Sequence, residues 1–320
     1  DRADRAGELL AEWLSTQASD ADVLERAIAL DLRAERWEEA VEKSKQLASI
    51  ATGARKVDAA LLLADACDSA GRPVDGRFAL EEALRVDPTD ARVREKLEHL
   101  YEAIGEHREL SQLKVLFAEV SESRDERFAA LREAGRIRLE KVKDAAAAVA
   151  PLEGAHAIDA KDGEVIVLLA TAYIQAGRLE DAAALLDAAI SAHKGRRSRE
   201  LSQLQQQMAK IAIAVGDPPN AMAWLNAALD SDIQNGAVAA ELADIATELG
   251  QLEVAVKALR AVTLMRNPEP MSRAMAYLRQ AFIAQHQGDM RRALAMARKA
   301  QMEDATLAEA ADLVTQLSAG

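Results

Sequence analysis

The residues able to do chemistry are few in kind and poorly spaced for it. Five histidines occur, His99, His107, His156, His193 and His286. No two stand four apart on one helix, so the paired metal ligands of an H-E-x-x-H helix are missing. Each reads as an exposed or capping side chain. Cys67 is the single cysteine; it excludes a zinc knuckle and an intrachain disulfide, and in its helical pattern it reads as a small buried hydrophobe. The neighbouring carboxylates Glu38-Glu39 and Glu81-Glu82 follow solvent-facing helical positions, which suits hydrated surface better than an acid–base pair. No glycine-rich phosphate loop and no G-x-S-x-G elbow is present. The expectation is a chain that is no enzyme, with no catalytic residue, cofactor or metal. One cluster reverses the local charge: Lys194, Arg196, Arg197 and Arg199. It reads either as a contact for a phosphate or an acidic partner or as a solvated loop, with the weight on the loop.

The elements that hold these residues are helices. Half of the 320 residues are hydrophobic but only 3% are aromatic. A thick single core uses more Phe, Tyr and Trp than that, whereas Ala and Leu suit thin layers of closely packed helices. No sustained period-two run of β-branched residues appears, so strands are not expected. A net charge of −13 opposes binding to nucleic acid, whose affinity for proteins comes largely from Lys and Arg. It opposes anionic membrane surfaces for the same reason. No apolar run approaches the roughly 20 residues that span a bilayer, so membrane insertion is not expected. The chain begins at Asp1 without Met, which reads as a piece of a longer protein. Its Ala and Arg content points to a bacterial source. Cytoplasmic placement is the expectation, with the periplasm as the alternative if a signal was removed upstream.

The clearest stretch is Gly163–Lys194. Leu169, Ala170 and Tyr173 line one face of a first helix, Gly177 breaks it, and Ala182, Leu186 and Ala189 line a second. Neither helix buries its apolar face alone, so the unit requires neighbours of its own kind. The Gly-x4-Ala spacing recurs at Gly216/Ala221, Gly250/Ala255 and Gly288/Ala293, with Gly71/Gly76 a near variant. The period is about 34 residues, and on these residues the sequence resembles the tetratricopeptide repeat family.

That resemblance implies an all-α, right-handed solenoid of about eight helix-turn-helix repeats with terminal capping helices. Residues 1–20 form an N-terminal helix, a cap or a truncated repeat, with Ala6, Leu10, Trp13 and Leu14 on one face. Residues 21–307 form the repeats, and 308–320 a C-terminal cap striped by Leu307, Ala311, Val314 and Leu317. Departures from the pattern fall in the early units. Asp31 occupies a Tyr position. The second helix of the third unit is expected to rotate and bury Leu113, Leu116, Phe117 and Val120. In the fourth unit Lys143 replaces the turn Gly and Pro151 falls inside a helix, which should remove a hydrogen bond and kink the axis. A candidate hinge therefore lies around 121–155. Arg197–Leu201 reads as an insertion between the fifth and sixth units. Asp217 is expected to cap a helix opened by Pro218-Pro219, and Thr89 or Asp90 another.

The resemblance also implies that first helices line a concave groove through the second, fifth, sixth, ninth and twelfth positions of each repeat. The candidate partner-binding residues are Val167, Leu168, Thr171 and Ile174; Gln203, Gln206, Gln207 and Lys210; Glu241, Asp244 and Glu248; and Arg279, with Ala240 and Leu278 also at groove positions. Chaperone-binding relatives hold a C-terminal carboxylate with Lys, Asn and Arg. Here Val167, Thr171, Gln207, Ala237 and Glu241 stand at those places, so such a clamp is not expected. The expected function is a protein–protein interaction scaffold that binds a peptide or helical segment of a partner, the apolar-to-acidic grading suiting a basic end. The alternative is a regulatory or sensor arm acting on a catalytic domain elsewhere in a longer chain. The apolar side of residues 1–17 also offers a surface for pairing with a second copy.

Overall fold

The computed structural model describes residues 2–17 and 19–318. Among them are helices and turns only. The chain divides into two compact units, Asp1–Asp159 and Ala160–Gly320.

The first unit opens with α1 (Arg2–Thr16) and continues in pairs: α2 (Ala21–Arg33) with α3 (Trp37–Ile50), and α4 (Ala54–Ser69) with α5 (Arg77–Val86). Then come α6 (Ala91–Ile104) with α7 (His107–Val120), and α8 (Arg124–Ile137) with α9 (Ala145–Ile158). The second unit pairs α10 (Gly163–Gln175) with α11 (Leu179–Ala192) and α12 (Arg199–Ala214) with α13 (Pro218–Ser231). It continues with α14 (Gly236–Glu248) and α15 (Leu252–Leu264), α16 (Arg273–His286) and α17 (Met290–Glu303), and closes with α18 (Ala308–Ser318). Within each unit every helix packs on the next in sequence, and α4 on α6 and α10 on α12 also touch directly. The cores are thin layers of Leu and Ala. Leu225, Leu242 and Leu259 are fully buried among Ala221, Ala228, Ala243, Ala255 and Ala258 in the second unit, where small side chains let helix axes approach to about 8–10 Å.

The turns inside the pairs share one device. Each of the eight holds a residue at positive φ: Glu35, Gly71, Gly105, Lys143, Gly177, Gly216, Gly250 and Gly288. At Gly177 (φ 77°) the left-handed conformation lets the next amide, Arg178, donate to the Tyr173 carbonyl five residues back at 2.8 Å, closing the helix end. Glycine takes this conformation with no Cβ penalty. Helix starts are fixed by side chains. Asp90, rather than Thr89, accepts from the amides of Arg92 and Val93. Asp217 accepts from Asn220 ahead of a first turn holding Pro218-Pro219.

Several expectations are corrected. Asp31 does not weaken its pair: it is buried and held by Arg36 at 2.7 Å and by Lys43. Helix α7 buries Leu110, Ser111, Leu113 and Ala118, while Leu116, Phe117 and Val120 are only half-buried. The reason is local: the Arg94 guanidinium covers the Phe117 ring at 3.8 Å, and Ser111 Oγ donates to the Ala134 carbonyl at 3.1 Å, seating α7 on α8. The stretch Arg197–Leu201 runs into the start of α12. Ser198 accepts from the Leu201 amide at 3.0 Å and starts α12 at Arg199, which lengthens that helix to 16 residues. His156 is half-buried with Nδ1 lacking a partner, rather than exposed or capping.

The fourth pair departs most. Between α8 and α9 the chain makes a π-turn over Arg138–Val142, and Lys143 supplies the left-handed residue at φ 61°. The closing amide, Asp144, reaches the Arg138 carbonyl six residues back at 2.9 Å, one residue wider than its counterparts. Helix α9 then runs unbroken across the buried Pro151. The carbonyl that Pro151 cannot bond, on Ala147, accepts instead from Arg138 Nη1 at 2.7 Å. Burial pulls the Arg138 guanidinium below its ordinary value, with Asp144 opposing.

Candidate partner-binding faces

In the first unit, the first helices α2, α4 and α6 enclose a cleft of about 1000 Å³. Its floor is apolar, from Leu61, Leu62, Leu80 and Leu100. Its walls carry five carboxylates, Glu25, Asp58, Asp65, Asp68 and Glu95, against the cations Arg92 and Lys96, with His99 beside them. Asp58, Leu61, Leu62, Asp65 and Asp68 stand at the second, fifth, sixth, ninth and twelfth places of their repeat, as Arg92, Glu95, Lys96 and His99 take the second, fifth, sixth and ninth of the next. Sequence reasoning placed the candidate site only in later repeats and missed this one, although the same positional rule finds it.

Ion pairs order the cleft. Arg92 Nη1 bonds Asp58 at 3.0 Å, and Nη2 bonds Asp90 at 2.7 Å. Lys96 Nζ bridges Asp65 at 2.6 Å and Asp68 at 2.8 Å. Burial alone would pull the Lys96 ammonium down, but its bonds to Asp65 and Asp68 hold it above the usual lysine value. Arg55 bonds Asp22 at 2.6 Å and Glu25 at 3.4 Å. These pairs hold extended side chains in place at the rim, which lowers the ordering cost of binding.

In the second unit the candidate residues lie on α10, α12, α14 and α16. Val167, Leu168, Thr171 and Ile174 are half-buried, and Thr171 Oγ1 donates to its own helix at Val167 O, 2.7 Å. Gln203, Gln206 and Lys210 are half-buried, as are Glu241 and Arg279; Asp244 and Glu248 are exposed. The fold brings two sets together. Gln206 Nε2 donates to Glu241 Oε1 at 2.9 Å, joining α12 to α14, and Arg279 pairs with Asp244, joining α16 to α14. Three groove positions are not presented to solvent. Gln207 is buried with Oε1 lacking a partner, Ala240 is buried, and Leu278 belongs to the core beneath α17 and α18.

Cys67 is fully buried, and burial pushes its thiol up, away from the reactive thiolate. Among the described residues no group of three or more His, Cys, Asp or Glu could hold a metal ion, and no helix is long and apolar enough to cross a membrane.

Paired antiparallel helices, turns closed by a left-handed residue and Leu–Ala layers define an all-α helical-repeat fold of the solenoid class. The sequence adds a match over part of the chain: residues 139–208 match the model of the tetratricopeptide repeat. Comparison with curated proteins finds no match. Among solved structures, it is similar to a tetratricopeptide repeat protein from Parabacteroides merdae, 14% identical, over 82% of this chain and 99% of the other, with a TM-score of 0.44. It is also similar to PilF of Pseudomonas aeruginosa, 15% identical over 82% of this chain and 97% of that one, with a TM-score of 0.38. YrrB, a tetratricopeptide repeat protein with an unusual peptide-binding site, is 16% identical over 57% of this chain and 89% of its own, with a TM-score of 0.40.

Proposed function

We propose that the protein acts by binding, without chemistry of its own, and that its first-helix faces take an extended or helical segment of a partner protein. Tetratricopeptide repeats in general serve as protein–protein interaction scaffolds and are in general non-catalytic. The observation that carries the finer reading is the cleft on α2, α4 and α6. Its leucine floor suits buried apolar anchors, and its five carboxylates against two cations suit a segment whose flanking residues are Lys or Arg. The face on α10, α12, α14 and α16, with Val167, Leu168 and Ile174 leading to Gln203, Gln206, Lys210, Glu241, Asp244, Glu248 and Arg279, is proposed as a further stretch with the same preference.

A displayed library of random peptides tests this on the 320-residue chain. Wild type should enrich sequences with Lys or Arg beside apolar residues. Asp65→Lys combined with Glu95→Lys should lower that enrichment to the share captured by the second unit, while circular dichroism stays unchanged. Glu241→Lys with Glu248→Lys reports in the same way on the second unit. Enrichment that survives both sets of changes sinks the proposal for both faces.

A further inference from the structure

We propose that α17, the second helix of the last pair, is a docking surface for an acidic amphipathic helix of a partner protein. Its inner side is the buried stripe Ala293, Ala297 and Ala300, of which Ala297 and Ala300 pack in the core with Leu278 and Leu313. That stripe fixes which side faces water. The outward side carries three pairs seven residues apart: Arg291 and Arg298, Ala295 and Met302, Arg292 and Lys299. Arg291, Ala295, Arg298 and Lys299 are exposed, Arg292 is half-buried, and Met302 is 85% exposed. With 3.6 residues per turn, the Ala295–Met302 stripe runs between the two basic ones, and each pair spans two turns, about 10 Å. A helix laid alongside repeats its own side chains at the same interval, as paired helices do when charges flank an apolar seam.

Charge selects the partner. From Met290 to Met302 the helix carries four cations and no carboxylate. Its acids stand at the two ends. Asp289 accepts from the Arg292 amide at 2.9 Å as the cap, and Glu303, the last residue, is held by Arg273 at 3.1 Å. Among the described residues none of Arg291, Arg292 and Arg298 has a carboxylate within ion-pairing reach, and Lys299 Nζ lies 5.5 Å from the Tyr277 ring centre. The other second helices of this unit are not built so. Helix α11 has Glu180, Asp181 and Asp187 with no cation, α13 has Asp230 alone, and α15 sets Glu253 against Lys257 and Arg260. In a chain of net charge −13, α17 therefore offers unpaired guanidinium groups beside an exposed methionine, and a helix bearing Glu on both sides of an apolar seam complements both. A nucleic-acid duplex would meet the cations but leave Met302 uncovered, and the net charge opposes an extended polyanion, an anionic membrane included. The first-helix faces prefer the opposite charge, so one peptide does not report on both.

The test titrates the full chain with a fluorescein-labelled helical peptide carrying Leu at three- and four-residue spacing and Glu at the flanking positions. One companion probe has the same composition with Leu spread around the helix; another replaces every Glu by Lys. The Leu–Glu peptide should bind, with affinity falling as salt rises. Arg291→Gln with Arg298→Gln should weaken it at least about tenfold with helicity unchanged. Met302→Asp should weaken it as well. The arginine variant should bind the Lys probe as the wild type does, and Asp65→Asn with Glu95→Gln in the first unit should leave Leu–Glu binding unaltered. Equal affinity for the Leu–Glu peptide in the wild type and the arginine variant overturns the proposal. So does equal binding of the spread-Leu probe, since it shows charge acting without the seam. Binding of a short DNA duplex or of phosphatidylserine vesicles that the arginine variant loses, with no Leu–Glu binding, makes the occupant a polyanion and overturns it. Self-association that the arginine variant loses, again with no peptide binding, makes the occupant a second copy and overturns it too.

Discussion

The seventh helical pair and the fourth reach the same end by different means. In α14 and α15 the family pattern does all the work: Leu242, Ala243, Ala246, Ala255 and Leu259 are fully buried, and Gly250 turns the chain so that Gln251 N meets Ala246 O at 2.7 Å. In α8 and α9 the turn glycine is a lysine, the turn is wider by one residue, and a proline interrupts the ladder. Yet the Ala147 carbonyl that the proline releases finds a partner in Arg138, and the helices interlock. A Cβ placed on Gly135 would lie 2.4 Å from Leu152 Cγ, so α8 and α9 meet where only glycine fits. The repeat demands a satisfied helix end and a filled groove; the family residues are one way of meeting that demand.

The largest expected effects probe that interlock. Leu152→Ala, at a fully buried side chain, should destabilise the first unit by about 2–5 kcal/mol through the cavity it leaves. Gly135→Ala should cost about 1–3 kcal/mol through overpacking. Urea unfolding with amide exchange across α8 and α9 reads both. A change below about 0.5 kcal/mol at Gly135 would mean the fourth pair is loosely packed, and the comparison would break. Combining Gly135→Ala with Leu152→Ala should recover part of the loss, because the two side chains contest the same space.

A smaller effect isolates the proline. Arg138→Met strands the Ala147 carbonyl and should cost about 1–3 kcal/mol. In a Pro151→Ala background the residue at 151 regains an amide, the carbonyl closes its own helical bond, and the cost of Arg138→Met should shrink. Equal costs in both backgrounds would show that Arg138 stabilises by packing alone.

What the sequence discloses follows from range. The turn glycines, the caps at Asp90 and Asp217 and the Ala–Leu layers are local, so spacing alone reveals them. Asp31 looked like a fault because its partners stand five and twelve residues on, at Arg36 and Lys43; the triad needs the turn before it exists. Likewise nothing near Pro151 announces Arg138, which reaches Ala147 only because the π-turn brings it back. The acidic cleft was written at regular groove positions, Asp58 through His99, but its volume depends on how α2, α4 and α6 pack. The basic cluster at 194–199 was plain as composition. Its neighbours on α13 and α15, Ile233, Arg260 and Leu264, lie 34 or more residues further on, and only the fold collects them.

The smallest effect has opposite signs in the two pairs, which makes it the sharpest comparison. Gly250→Ala puts a Cβ on a residue at φ 69° with nothing within 4 Å of it. The cost, about 1 kcal/mol, is therefore backbone strain and not a clash. Lys143 already bears that strain at φ 61°, so Lys143→Gly should release it. Part of the gain is lost to the freer unfolded chain, which leaves a net stabilisation of about 0.5 kcal/mol. If Lys143→Gly instead destabilises, the lysine side chain contributes more at the turn than its backbone strain takes away, and the fourth turn would be a solution of its own kind and not a tolerated variant of the glycine one.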